Sequence, residues 1–100
     1  MQLTDKRINV AIQVLPVSAE RHMYDMVDDA IAIIVNSGLK YRVTPFETVV
    51  EGFYGEVMEL VQKVQEACYD AGAESLLCNL KIQSHEKHDI TIEDKIEKYE

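Results

Sequence analysis

Two amides (Gln13 and Asn79), a phenol (Tyr41), two hydroxyls (Thr44 and Thr48) and two carboxylates (Glu47 and Glu51) all fall on strands or strand ends of this chain. Amides offer paired donors and acceptors, an aromatic ring attracts a cation, and a carboxylate accepts from an amine. Such a set can hold a flat, amine-bearing heterocycle by hydrogen bonding and stacking. It does not make a catalytic centre. His22 stands three residues before Asp25, but no third group orients the imidazole, and a working base needs its own orienter. His85 and His88, with Glu86 and Asp89, come nearest to a metal-ligating group. Their stretch reads more simply as a polar connection, so no catalytic residue, metal or cofactor is expected. Cys68 and Cys78 lack the CxxC spacing of a zinc or redox site. The four glycines are scattered at helix boundaries rather than gathered into a phosphate-cradling loop, which disfavours a ligand recognised by its diphosphate.

Plainer roles compete at each position. Gln13 and Asn79 serve equally as subunit contacts, Thr44 before Pro45 as a turn residue, and Thr48 as a β-branched strand residue. Tyr41 shares the parity of Leu39 and Val43, which favours packing. Glu51 before Gly52 can set its charge near a helix N-terminus.

The elements that must position these residues follow from periodicity. Ile8, Val10, Ile12 and Val14 alternate with Asn9, Ala11, Gln13 and Leu15, a strand that Pro16 is expected to end. Met23, Val27, Ala30, Ile31 and Ile34 recur at helical spacing over about 22–36, with Asp25, Asp28 and Asp29 favoured by the helix dipole and Gly38 placed for a left-handed cap. Leu39–Thr44 and Phe46–Glu51 read as strands joined by a tight antiparallel turn at Pro45. A helix at about 55–71 carries Val57, Leu60, Val61, Val64 and Cys68, Glu74–Gln83 is the fourth strand, and Thr91 opens a short helix at about 92–99.

The order predicts an α+β, ferredoxin-like βαββαβ sandwich: a four-stranded antiparallel sheet, two helices on one face and a short C-terminal helix. One domain spanning 1–100 is expected. Two helices cover one sheet face only. The other carries Asn9, Ala11, Gln13, Leu15, Lys40, Arg42, Thr44, Leu77, Asn79, Lys81 and Gln83, and is expected to be wet or covered by a second chain. In the third strand, Phe46, Thr48 and Val50 are expected to point inward.

A chain that is 47% apolar and 28% charged is ordinary for a soluble globular protein. No apolar run approaches the roughly 20 residues needed to span a bilayer, and Met1–Asn9 lacks a signal-peptide layout. A cytoplasmic address without a membrane partner is therefore expected. The net charge is −8, and most of it lies in the second half, where twelve acidic side chains face five basic ones. That field repels nucleic acid. It suits a neutral or cationic ligand, although net charge is first an argument about solubility.

The stretch Ser37–Gly52, with Ala11–Pro16 upstream and Gly72–Ile82 downstream, resembles the small thiamine-binding proteins, a family long catalogued as a domain of unknown function. The resemblance runs roughly from Asn9 to Tyr99. It implies binding of thiamine or its hydroxymethylpyrimidine half, without chemistry on either, by a homodimer or homotetramer. The family's Ser-Gly-Leu-x-Tyr, Pro-x-x-Thr and Glu-Gly elements fall here on Ser37, Tyr41, Thr48 and Glu51. Together with Gln13, Thr44 and Asn79 these make the expected ligand site. Two other readings compete: a ferredoxin-like regulatory or interaction module with no thiamine ligand, and a small dimeric α+β enzyme. The fold alone does not separate them.

Overall fold

The structure, a computed structural model, describes residues 2–99. Its elements are β1 (Arg7–Val17), α1 (Met23–Val35), β2 (Lys40–Val43), β3 (Thr48–Phe53), α2 (Tyr54–Asp70), β4 (Ser75–Gln83) and α3 (Ile92–Ile96), with short 3-10 turns at Leu3–Asp5 and Glu97–Tyr99. The strands lie in the order β2-β3-β1-β4, and every neighbouring pair is antiparallel. This is the expected ferredoxin-like α+β sandwich.

Alternation along β1 sends Ile8, Val10, Ile12 and Val14 to the helical side, where all are buried. Register places Val50 opposite Val10, Thr48 opposite Ile12, and Cys78 opposite Val14. Ala30 and Ile34 of α1, with Val57, Leu60, Val61, Val64 and Cys68 of α2, complete one core. Each such aliphatic side chain contributes about 1.5–3 kcal/mol on burial, which is why the period-two and period-3.6 stripes dominate the fold.

The helix ends are closed locally. His22 Nδ1 accepts from the Tyr24 N–H at 3.2 Å and caps α1. At the other end, Ser37 Oγ donates to the Ile34 carbonyl at 2.7 Å and accepts from the Leu39 N–H at 3.1 Å. Gly38 then turns the chain at φ 82°, a conformation that glycine adopts without steric cost. The Glu56 carboxylate accepts from the Phe53 N–H at 3.3 Å at the start of α2.

Four expectations need correction. Pro16 does not end β1; the strand continues to Val17. Thr48 and Val50 are buried, but Phe46 lies in the turn before β3 and is 80% exposed. The third strand does not stop at Glu51: β3 runs through Gly52 to Phe53, and α2 begins directly after it at Tyr54. Part of the sheet's second face is covered by this chain's own C-terminal segment, a cover the sequence reading did not include. Among the described residues, no helix is long and apolar enough to cross a membrane.

Candidate functional site

The hairpin between β2 and β3 is shorter than β1, and this difference creates a notch. Thr44 N–H donates to the Glu47 carbonyl at 2.9 Å. Val43 and Thr48 therefore form a non-hydrogen-bonded pair, and Thr48 turns its own N–H and C=O toward β1. Ile12 answers it. Two residues on, Val14 aims its N–H and C=O the same way, but β3 has already ended. Pro16 falls on that side too, so its missing N–H costs the ladder nothing, which explains why the strand tolerates it.

A groove of about 450 Å³ occupies this notch. Its floor is the β1 edge from Ile12 to Leu15. One wall is the α1 face with Met23, Tyr24, Val27, Asp28 and Ile31; the other is the turn Thr44–Thr48. The interior is mainly aliphatic, with the Val14 backbone supplying an adjacent donor and acceptor. The turn is braced from within: Thr44 Oγ1 donates to the Glu47 carbonyl at 2.6 Å and accepts from the Glu47 N–H at 3.1 Å. Three of the seven expected site residues, Gln13, Thr44 and Thr48, line this groove.

The other four lie elsewhere. Asn79 sits beside Gln13 on the sheet's second face, its amide donating to Gln13 Oε1 at 3.1 Å. Tyr41 lies on the edge strand β2 opposite Val50. Ser37 spends its hydroxyl on the α1 terminus. Glu51 is buried, and its carboxylate accepts from the Ile92 N–H at 2.8 Å rather than serving the α2 terminus.

Glu51 belongs to a second constellation at the opposite end of β1. There the C-terminal segment crosses the second sheet face. Ile90 N–H donates to the Arg7 carbonyl at 3.1 Å, and Arg7 N–H donates to Asp89 Oδ1 at 2.9 Å. Ile92 is buried, and Thr91 Oγ1 caps α3 by accepting from the Asp94 N–H at 3.1 Å. The buried Asn9 amide, oriented to match its neighbours, donates to the Ile90 carbonyl at 3.0 Å and accepts from Lys95 Nζ at 3.0 Å. Partial desolvation lowers the Lys95 pKa. Lys40 pairs with Glu93 across the same edge.

The histidines do not form a metal centre. The rings of His85 and His88 stack with centroids 3.7 Å apart instead of converging on a point. Among the described residues, no group of three or more His, Cys, Asp or Glu side chains could hold an ion.

Sequence reasoning missed Tyr24, Asp28, Phe46 and the Val14 backbone as groove components. The signal for Phe46 was present, because a large aromatic directly after a turn proline has no neighbouring strand to cover it.

Fold and groove define a class: a small ferredoxin-like α+β protein with a ligand-sized cleft where its central strand outruns a neighbour. A family model described as thiamine-binding protein matches residues 10–100, and the chain belongs to that family. It is 36% identical over 91 residues to a UPF0045 protein of Clostridium perfringens, covering 91% of this chain and 95% of that one. A Bacillus cereus structure of a domain of unknown function, DUF77, superposes with a TM-score of 0.92 at 31% identity, covering 100% of this chain and 96% of the other. A Thermotoga maritima structure, provisionally assigned to thiamine biosynthesis or salvage, superposes with a TM-score of 0.84 at 32% identity, covering 94% and 99%.

Proposed function

We propose that this protein binds thiamine or its hydroxymethylpyrimidine half in the notch groove, without catalysis, as a homo-oligomer that sequesters or delivers the ligand. One observation carries the reading: the N–H and C=O of Val14, freed by the early end of β3, sit at the floor of an apolar cleft. An aminopyrimidine edge presents a ring nitrogen that accepts beside an exocyclic amine that donates. It can therefore pair with Val14 as a strand would, and a flat ring fits between aliphatic walls. The family and the thiamine-related assignment of the Thermotoga maritima relative point the same way.

Self-association draws on the uncovered half of the second sheet face. Leu77 is 58% exposed there, next to Leu15 and the Gln13–Asn79 amide pair. A second copy that covers this patch buries apolar area and keeps the amides paired. Sedimentation at micromolar concentration tests it, and a purely monomeric species removes the oligomer from the proposal.

The test of the groove is calorimetric titration of the intact protein with thiamine and with hydroxymethylpyrimidine, repeated on Ile31→Trp. Ile31 is half-buried on the α1 wall, so an indole there fills the cleft. Binding to the natural sequence and its loss in Ile31→Trp, with unchanged circular dichroism, support the site. Equal affinity in the two proteins places the ligand elsewhere.

A further inference from the structure

We propose that the sheet's second face carries an anion site of its own, a cavity midway along β1 in which Lys81, Lys95 and Gln83 hold a phosphate group, free or carried as a phosphomonoester. The site is separate from the notch groove and does not depend on the function proposed for that groove.

The cavity holds about 250 Å³. Strand register builds its floor: Ala11 stands in one row between Val49 and Lys81, and Asn9 stands opposite Gln83. Ala11 is the smallest side chain that β1 turns to this face, which leaves a dip in the sheet. α3 closes one side of the dip with Lys95. Lys95 Nζ donates to the buried Asn9 amide oxygen at 3.0 Å, but among the described residues no carboxylate pairs with it. Desolvation lowers its pKa, the mark of an ammonium drawn partly out of water without a counter-charge. Such a cation gains from an anion placed beside it. Asn9 is neutral, and its amide hydrogens are spent on the Ile8 and Ile90 carbonyls. A second cation comes from Lys81, which leans 3.0 Å from Glu47 Oε1 with its own side chain 76% exposed, a pair that is weakly held. Gln83 adds a third donor, since among the described residues its side-chain amide makes no hydrogen bond. The other carboxylate on this face, Glu51, is turned to the Ile92 N–H. A chain of net charge −8 repels anions as a whole, yet the cavity lining carries two positive groups and one negative. Two ammonium groups on separate elements, with an amide between, suit a tetrahedral dianion whose oxygens point in several directions. Because Lys95 belongs to α3 and Lys81 and Gln83 to β4, a phosphate held here fastens the C-terminal segment to the sheet.

The experiment is titration of the full chain with orthophosphate, glycerol phosphate and acetate at fixed ionic strength, read by NMR of the lysine side chains and by amide hydrogen exchange. A phosphate is expected to bind with a Kd on the order of 1 mM, the scale of a few charge-assisted hydrogen bonds open to water. It should raise the Lys95 pKa by about one unit. At ten times Kd it should slow exchange of the Ile90 and Ile92 N–H groups about tenfold, because opening of the C-terminal segment must release the anion. Lys81→Gln and Lys95→Gln should each weaken binding about tenfold, and Gln83→Leu about threefold. Glu47→Gln, which frees Lys81, should tighten it about threefold. Gln83→Leu and Glu47→Gln leave α3 untouched, so their opposite effects separate anion binding from a loosened helix. Tighter orthophosphate supports a site for the free ion, and tighter glycerol phosphate a site for the ester. Acetate binding as tightly as either phosphate overturns the assignment to a tetrahedral dianion. Absence of a saturable shift at Lys95, or an affinity unmoved by Lys81→Gln and Gln83→Leu, overturns the site.

Discussion

At its Arg7 end, β1 lies beneath the C-terminal segment; at its Val17 end it runs past β3, paired with β4 on one side and facing the groove on the other. Both ends present polar groups beside apolar side chains. At the covered end every such group is answered from within the chain: Asn9 by Ile90 and Lys95, and Glu51 by Ile92. At the notch, Val14 and Asp28 are left without protein partners among the described residues. A buried polar group that is already satisfied contributes to stability and has little left for a ligand. One left facing an apolar cleft costs little while water reaches it and becomes selective when a ligand replaces that water. The two ends thus separate residues that hold the fold from residues available to a guest.

The strongest test of that separation is Glu51→Ala. It strands the Ile92 N–H and loosens α3, and should cost about 2–3 kcal/mol, the usual penalty for removing a charged partner from a buried hydrogen bond. In a chain of this size that lowers Tm by about 10 °C or more. Ligand affinity in the groove should stay within about twofold, since the change is remote and independent of it. Thermal denaturation alongside titration reads both. Loss of binding with intact stability would return Glu51 to the site and erase the distinction between the ends.

Thr44→Val sharpens the same contrast from the other side. The hydroxyl makes two hydrogen bonds that shape the turn, and their loss should cost about 1 kcal/mol. Because this turn carries Pro45 and Phe46 into the groove wall, ligand affinity should fall about threefold to tenfold, the scale on which a displaced positioning element acts. A drop in stability with unchanged affinity would make the turn a purely structural brace.

Much of this architecture was legible because burial writes itself into sequence period. Ile8 to Val14 alternate, α2 repeats its apolar stripe, and Thr48 and Val50 have the right parity for the core. The site was legible only in part, for reasons that period does not carry. Pro16 reads as a stop until the phase of the ladder shows that its nitrogen faces the side β3 has vacated. Phe46 reads as core by alternation, but alternation has meaning only where a strand is paired, and pairing starts at Thr48. Glu51 looked available because nothing local shows that residues 89–96 fold back over it. Asp28 reads as a partner for the helix dipole, but only Asp25 lies in the first turn of α1; the place of Asp28 on the groove wall depends on where another strand ends.

The smallest expected effect concerns a core residue that belongs to neither constellation, and it serves as a control on both. Cys68 is fully buried, and desolvation, with smaller contributions from Cys78 and Asp29, raises its pKa above the ordinary 9.0. In the unfolded chain the thiol ionises near that ordinary value; in the folded chain it keeps its proton to higher pH. Stability from this group is complete below pH 9.0 and declines as pH climbs from there toward the raised folded pKa. At pH 10 the loss is at most about 1.4 kcal/mol, one unit of pH on one thiol. Urea titrations of the natural sequence at pH 8 and pH 10 should differ in that direction, and Cys68→Ala, although less stable at both, should show a smaller difference between them. Ligand affinity is expected to be indifferent to the thiol, because Cys68 lines neither the groove nor the covered end. If Cys68→Ala leaves the alkaline decline undiminished, the titrating group lies elsewhere, and the neutral core ceases to be a fair reference for comparing the two ends of β1.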